Sequence, residues 1–292
     1  MKIIDEDLIT TDPIAFLSNE DVEVSVLRLD KIHPVVSGNK WFKLRYYIQE
    51  ALEQQKRTIV TYGGAYSNHI VATAAACRIH RLKSKGIIRG EAPKQYGHTL
   101  QEAASYGMEF CFLPRSDFKM KKLPENFITA EDYLINEGGY GDKGAAGAGT
   151  IAYDKDKFDI VCCAVGTGTM MAGLINSKRT HTKILGFSVL KNNFSIENEI
   201  RSLLLNPLED INIYHDFHFG GYAKRSPELI DFMNMFYSVT RIPTDFVYTG
   251  KLFFGLYQLL KSRQFKAGSR ILVIHSGGLQ GNLSLPKGTL IY

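Results

Sequence analysis

Short apolar runs alternate along this chain with stretches whose apolar residues recur at three- and four-residue steps, and brief glycine-bearing joints separate the two; this alternation most narrows what the chain can fold into. Strand-like runs lie at 23–29, 58–62, 86–89, 108–113, 158–165, 184–190, 246–248 and 270–275. Helix-like stretches lie at 68–80, 98–106, from about 169, and at 250–262. Another carries Lys40 and Lys43 in its first turn and runs to Gln55, because Leu44, Ile48 and Leu52 fall at four-residue steps with Tyr47 and Ala51 beside them. Ser226-Pro227-Glu228 opens one more, with serine as the cap and proline at the first helical position. Strand and helix in alternation predict βαβ units, hence an α/β fold with parallel sheets flanked by helices.

With 292 residues, the chain has room for two domains. A glycine-dense stretch from Glu137 through Gly138, Gly139, Gly141, Gly144 and Gly147 to Gly149 has no apolar periodicity. It predicts a crossover loop between domains. The expected division is a smaller domain over 43–148 inserted into a larger one made of 1–42 and 149–292.

No apolar run approaches the roughly 20 residues that span a bilayer. The first residues turn acidic at Asp5-Glu6-Asp7 where a secretory signal would be apolar, so the cytoplasm is the expected location. The formal net charge of +5 is scattered, with no basic stripe and no aromatic-basic interleaving, which argues against nucleic acid and suits a small anionic ligand. Cys77, Cys111, Cys162 and Cys163 show no metal-ligand spacing and read as core thiols; no metal is expected.

Three loops stand where chemistry could be held. Gly166-Thr167-Gly168-Thr169 joins a buried strand to a helix, where backbone N–H groups and the helix dipole can close on an anion; a plain tight turn fits as well. No complete dinucleotide or P-loop glycine pattern is present. Gly63-Gly64-Ala65-Tyr66-Ser67-Asn68-His69 also follows a strand, and Ser67 or Asn68 would serve as an ordinary helix cap. Ser37-Gly38-Asn39-Lys40 places a lysine at a helix entrance, which by itself is a solvated charge.

Together with Ser276-Gly277-Gly278 after the last strand, these segments recur in fold-type II pyridoxal-phosphate (PLP) enzymes, and the chain resembles the ACC deaminase and D-cysteine desulfhydrase family from about residue 23 to 282. Gly38-Asn39-Lys40 with Lys43-Leu44 is similar to its GNKxRKLEY signature, and Gly63-Gly64 through Asn68 to its GGxxSNH. Gly221-Tyr222-Ala223, Tyr248-Thr249-Gly250-Lys251 and His275-Ser276-Gly277-Gly278 resemble its C-terminal signatures. The chain departs from the pattern in an abbreviated N-terminal segment and in Phe42, where the family carries arginine.

The resemblance implies a two-domain fold with PLP in the interdomain cleft. Lys40 would form the Schiff base with the cofactor and move protons at the substrate's α-carbon. Asn68 would bond the cofactor's phenolic oxygen. Gly166, Thr167, Gly168 and Thr169 would cradle its phosphate, with Lys43 as a further contact. Ser67, Tyr222 and Tyr248 would face the substrate. Thr249 matches the position opposite the pyridine nitrogen, where ACC deaminases carry glutamate, and Ser276 matches a site that is leucine in ACC deaminases and a hydroxyl residue in desulfhydrases. Both differences point to α,β-elimination on a small amino acid, D-cysteine foremost, giving pyruvate, ammonia and sulfide. The alternatives are ACC deamination, a non-catalytic PLP- or amino-acid-binding protein and, more weakly, a nicotinamide-dependent oxidoreductase. A homodimer is the family's habit.

Overall fold

The computed structural model describes residues 3–122 and 126–292. In chain order the strands of the first half are β1 (Thr11–Pro13), β2 (Val22–Arg28), β3 (Thr58–Gly64), β4 (Lys83–Arg89), β5 (Met108–Leu113) and β6 (Asp132–Ile135). Those of the second half are β7 (Ile160–Val165), β8 (Lys183–Ser188), β9 (Asn212–Tyr214) and β10 (Ser269–His275). The helices are α1 (Asn39–Glu53), α2 (Asn68–Ile79), α3 (His98–Ser105), α4 (Arg115–Lys119), α5 (Asp142–Ala148), α6 (Thr169–Ser177), α7 (Ile196–Arg201), α8 (Pro227–Thr240) and α9 (Thr249–Lys261).

Two sheets result, one in the order β1-β2-β10-β7-β8-β9 and one in the order β5-β4-β3-β6. Every pairing is parallel except that of the short edge strand β1 with β2. The central strands of the first sheet read as continuous apolar runs because both faces are covered. Ile271 and Val273 of β10 enter one core while Leu272 and Ile274 enter the opposite one, and Cys162 and Cys163 of β7 part in the same way. Cys77 is likewise buried in the core beside the second sheet. Cys111 corrects the expectation for the four thiols: it lies half-buried on β5 rather than in a core.

Helix α1 ties these layers together. Its Phe42 packs into a core of the first sheet, whereas Leu44, Tyr47, Ile48 and Ala51 pack against the second. The expected helices and most strands appear within a residue or two of their anticipated ends, and Ser226 accepts from the Leu229 N–H as the cap of α8. Among the described helices none is long and apolar enough to cross a membrane.

Two expectations fail. The segment 246–248 is a turn and not a strand, because Asp245 draws its backbone N–H groups onto a carboxylate. The glycine-dense stretch is not a plain loop: it contains α5, whose glycines permit close backbone approach. A methyl group on Gly144 would lie 2.0 Å from the Gly139 carbonyl oxygen, one on Gly147 2.0 Å from that of Phe42 in α1, and one on Gly173 of α6 2.3 Å from that of Ala145. On an open helix face, glycine to alanine stabilises by about 1 kcal/mol. At Gly147 the sign should reverse, and chemical denaturation of Gly147→Ala is expected to show a loss of about 1–3 kcal/mol from overpacking.

Candidate active site

Lys40 is held by the junction of α1 with the end of β10. Gly38 has φ +61°, and a methyl group there would lie 1.9 Å from the Ser276 carbonyl oxygen, so the two segments can touch only through glycine. The Asn39 N–H donates to that oxygen at 3.2 Å. The Lys40 amine donates to Asn39 Oδ1 at 2.8 Å and stands 5.7 Å from the centre of the Tyr248 ring. Burial brings its pKa down to about 8, against the opposing charge of Asp245. Lys43, one helical turn on, is buried, and burial together with Lys40 holds it well below the usual lysine range.

Across from this helix start lies the start of α2. Asn68 is buried; its Nδ2 donates to the Gly278 carbonyl at 3.3 Å while its Oδ1 has no partner. His69 Nε2 lies 2.9 Å from Thr61 Oγ1, and its Nδ1 has no partner. Burial, then Lys43 and Lys40, push this imidazole well below its normal pKa, so it is neutral. Gly139 leaves room between Lys43 and His69, where a methyl group would lie 3.3 Å from the Lys43 Cβ and 3.5 Å from the His69 Cε1. Ser67 takes the plainer of its two roles here, capping α2 by accepting from the His69 N–H at 3.2 Å.

The 166–169 turn meets the same region. Gly168, at φ +74°, caps α6, and the hydroxyls of Thr167 and Thr169 stand 3.0 Å apart at the positive end of that helix. A methyl group on Gly166 would lie 3.3 Å from the Tyr248 ring, so this glycine keeps the turn open beside the tyrosine. Tyr248 and Tyr222 meet edge to face at 6.0 Å. Burial raises the Tyr248 phenol well above its usual pKa, with Tyr222, Asp245 and Glu137 adding to it.

Several contributing residues were not read from the sequence as part of the site. Asp245, fully buried, accepts from the N–H groups of Val247, Tyr248 and Thr249, each at 2.9 Å. It also takes the Thr249 hydroxyl proton at 2.7 Å, while Thr249 Oγ1 accepts from the Asp245 N–H at 2.8 Å. Burial pushes the Asp245 carboxyl up and these donors hold it down. An aspartate that accepts from the N–H groups two and three residues on makes an Asx-type turn, a local signal that could have been recognised. Lys251, also fully buried, donates to the carbonyls of His218 at 2.9 Å and Gly221 at 2.7 Å, anchoring the loop that carries Tyr222. Lys251 and His69 each stood within a quoted motif, but neither was given a role there.

Lys40, Lys43, Asn68, Tyr248, Thr249, Ser276 and the 166–169 turn therefore converge, with Tyr222 reaching the group through Tyr248. The sequence pattern of the family "Pyridoxal-phosphate dependent enzyme" matches residues 12–277. The chain belongs to that family. A bifunctional D-cysteine desulfhydrase/1-aminocyclopropane-1-carboxylate deaminase of Arabidopsis thaliana is 29% identical, over 89% of this chain and 73% of its own. A 1-aminocyclopropane-1-carboxylate deaminase of a Bradyrhizobium species is 24% identical over 83% of this chain and 82% of its own. The crystal structure of an ACC deaminase homologue superposes with a TM-score of 0.79 at 25% identity, covering 94% of this chain and 90% of that one. These findings bear out the resemblance seen in the motifs. They make this PLP-dependent enzyme an α/β protein of fold type II with pyridoxal phosphate as its cofactor.

The residues present fit that cofactor. An aldehyde needs an amine that can lose its proton, and Lys40 supplies one. A phosphate needs donors at a helix start, which the 166–169 turn and the first turn of α6 provide. A pyridine ring bearing an oxygen needs a polar partner, and Asn68 brings an amide whose Oδ1 is otherwise unpartnered.

Proposed function

We propose that this enzyme catalyses α,β-elimination on a small amino acid, with D-cysteine as the leading substrate and pyruvate, ammonia and sulfide as products. In this reading residues 43–148 form the smaller domain, and the site lies in the cleft it makes with the rest of the chain. When bound, the cofactor withdraws electrons from the substrate's α-carbon and acidifies its C–H bond. Lys40 would hold the cofactor through its aldehyde carbon and would take the proton from the substrate's α-carbon. The electron pair of that C–H bond forms the Cα–Cβ double bond, the Cβ–S bond breaks with its pair going to sulfur, and the 2-aminoacrylate released tautomerises to an imine that water hydrolyses to pyruvate and ammonia. The 166–169 turn and Lys43 bind the phosphate, Asn68 orients the ring through its oxygen, and Ser67, Tyr222 and Tyr248 close on the substrate.

The observation that carries this reading is the state of Thr249. The resemblance puts this residue opposite the pyridine nitrogen, and its hydroxyl proton is committed to Asp245. Thr249 thus offers that nitrogen a lone pair and no formal charge, a weaker anchor for a pyridinium than the glutamate of ACC deaminases. A modest electron sink suffices to expel sulfide and suits the opening of a cyclopropane less well. The hydroxyl residue Ser276 supports the same side. The Bradyrhizobium relative's name favours a second reading, deamination of ACC to 2-oxobutyrate, while the Arabidopsis relative is named for both activities. Purified enzyme loaded with cofactor is expected to release pyruvate from D-cysteine and no 2-oxobutyrate from ACC. The reverse result would replace the first reading by the second, and bound cofactor without turnover of any β-substituted amino acid or of ACC would remove both.

A further inference from the structure

A cavity of about 580 Å³ opens beside the site, lined by Tyr62, Arg89, Arg115, Phe118, Lys119, Lys121 and Glu137. That volume far exceeds what a cysteine side chain fills and lies within the range of small-molecule pockets. Its wall carries four cationic side chains against one carboxylate. The floor is aromatic: Tyr62 and Phe118 are buried and meet edge to face at 5.6 Å.

Two contacts join this cavity to the candidate active site. Arg89, at the end of β4, has its Nη2 3.6 Å from where a Gly64 side chain would begin, on the loop that leads to Ser67 and Asn68. Glu137 precedes Gly138, and a methyl group there would lie 2.7 Å from the Thr167 Cγ2. The charge of Glu137 reaches both Tyr222 and Tyr248. The Arg89 guanidinium lies 5.7 Å from the Phe118 ring centre, which braces its planar fork, and no ion pair to a carboxylate occupies that fork among the described residues. Lys121 is tied to Asn136 Oδ1 at 3.1 Å, next to Glu137.

We propose that this cavity is a subsite for an anionic group at the far end of the amino-acid substrate, a phosphate, sulfonate or carboxylate, and that Arg89 is the residue that grips it. The inference rests on the reading of the neighbouring site as one that binds a small amino acid. Arg89 stands within contact distance of the Gly64 loop, the aromatic floor accepts the apolar part of such a side chain, and the surplus of positive charge meets its end. A planar guanidinium can bond two oxygens of one oxyanion at once.

The test uses the cofactor-loaded enzyme and compares O-phosphoserine with serine, each in D and L forms. Binding is read from the rapid change in the cofactor's visible absorption before turnover. The wild type is expected to bind one phosphoserine enantiomer about 10- to 100-fold more tightly than the matching serine, the range of a charge-assisted contact. In Arg89→Gln that ratio should fall towards one, with Arg89→Lys in between. Equal affinity in the wild type, or a ratio that survives in Arg89→Gln, would overturn the subsite and leave the proposed function standing. Binding of neither amino acid, nor of D-cysteine in the same assay, would take down both.

Discussion

Lys40→Ala is expected to lower turnover by about 10³-fold or more, because in the proposed function one amine both holds the cofactor and moves the substrate's proton. The variant should still take up pyridoxal phosphate through the 166–169 turn and Asn68, but without the visible absorption of the lysine-bound form. A second readout follows from the amine's pKa of about 8. Only the neutral amine attacks an aldehyde, and it is the form present above that pKa. Capture of the cofactor by the wild-type apoprotein should therefore speed up as pH rises through about 8 and level off beyond it. A capture rate flat across that range, or an unchanged spectrum in Lys40→Ala, would show that another group does this work.

Asp245→Ala should have the largest effect on stability. The carboxylate serves three backbone N–H groups and the Thr249 hydroxyl inside a fully buried turn. Each donor left without an acceptor costs about 1–3 kcal/mol, and water can reach some of them, so a loss of about 3–5 kcal/mol is expected in denaturant unfolding. Asp245→Asn keeps one acceptor oxygen and should lie between. The charge of Asp245 also raises the Lys40 pKa against the effect of burial. Removing that charge should lower the pKa further, so the pH profile of cofactor capture should shift towards acid in both variants. A merely structural role would weaken the fold without moving that profile.

How far such features are legible in the sequence depends on their range. Elements that carry their own period, such as α1 with Leu44, Ile48 and Leu52, or β10 with its unbroken apolar run, could be placed because burial on one or both faces writes the pattern locally. The segment 246–248 looked like a strand for the same reason, since Phe246 and Val247 are apolar; a capping carboxylate decided its shape instead. Helix α5 was illegible because its glycines answer to backbones remote in sequence, the Phe42 carbonyl among them. Lys40, Asn68 and the 166–169 turn could be proposed because each lies in a motif beside a helix start. Arg89 and Glu137 could not, since nothing near either residue announces that β4 and the turn after β6 face a common cavity.

Helix α1 has one more consequence. Because it is rooted in a core of each sheet, a shift of one sheet relative to the other would load this helix directly. Lys40, the amine proposed to hold the cofactor, thus stands at the start of an element braced from both sides. Arg89 and Tyr62 stand on strands of the second sheet, so the amine and the cavity wall belong to different layers that this helix keeps in register.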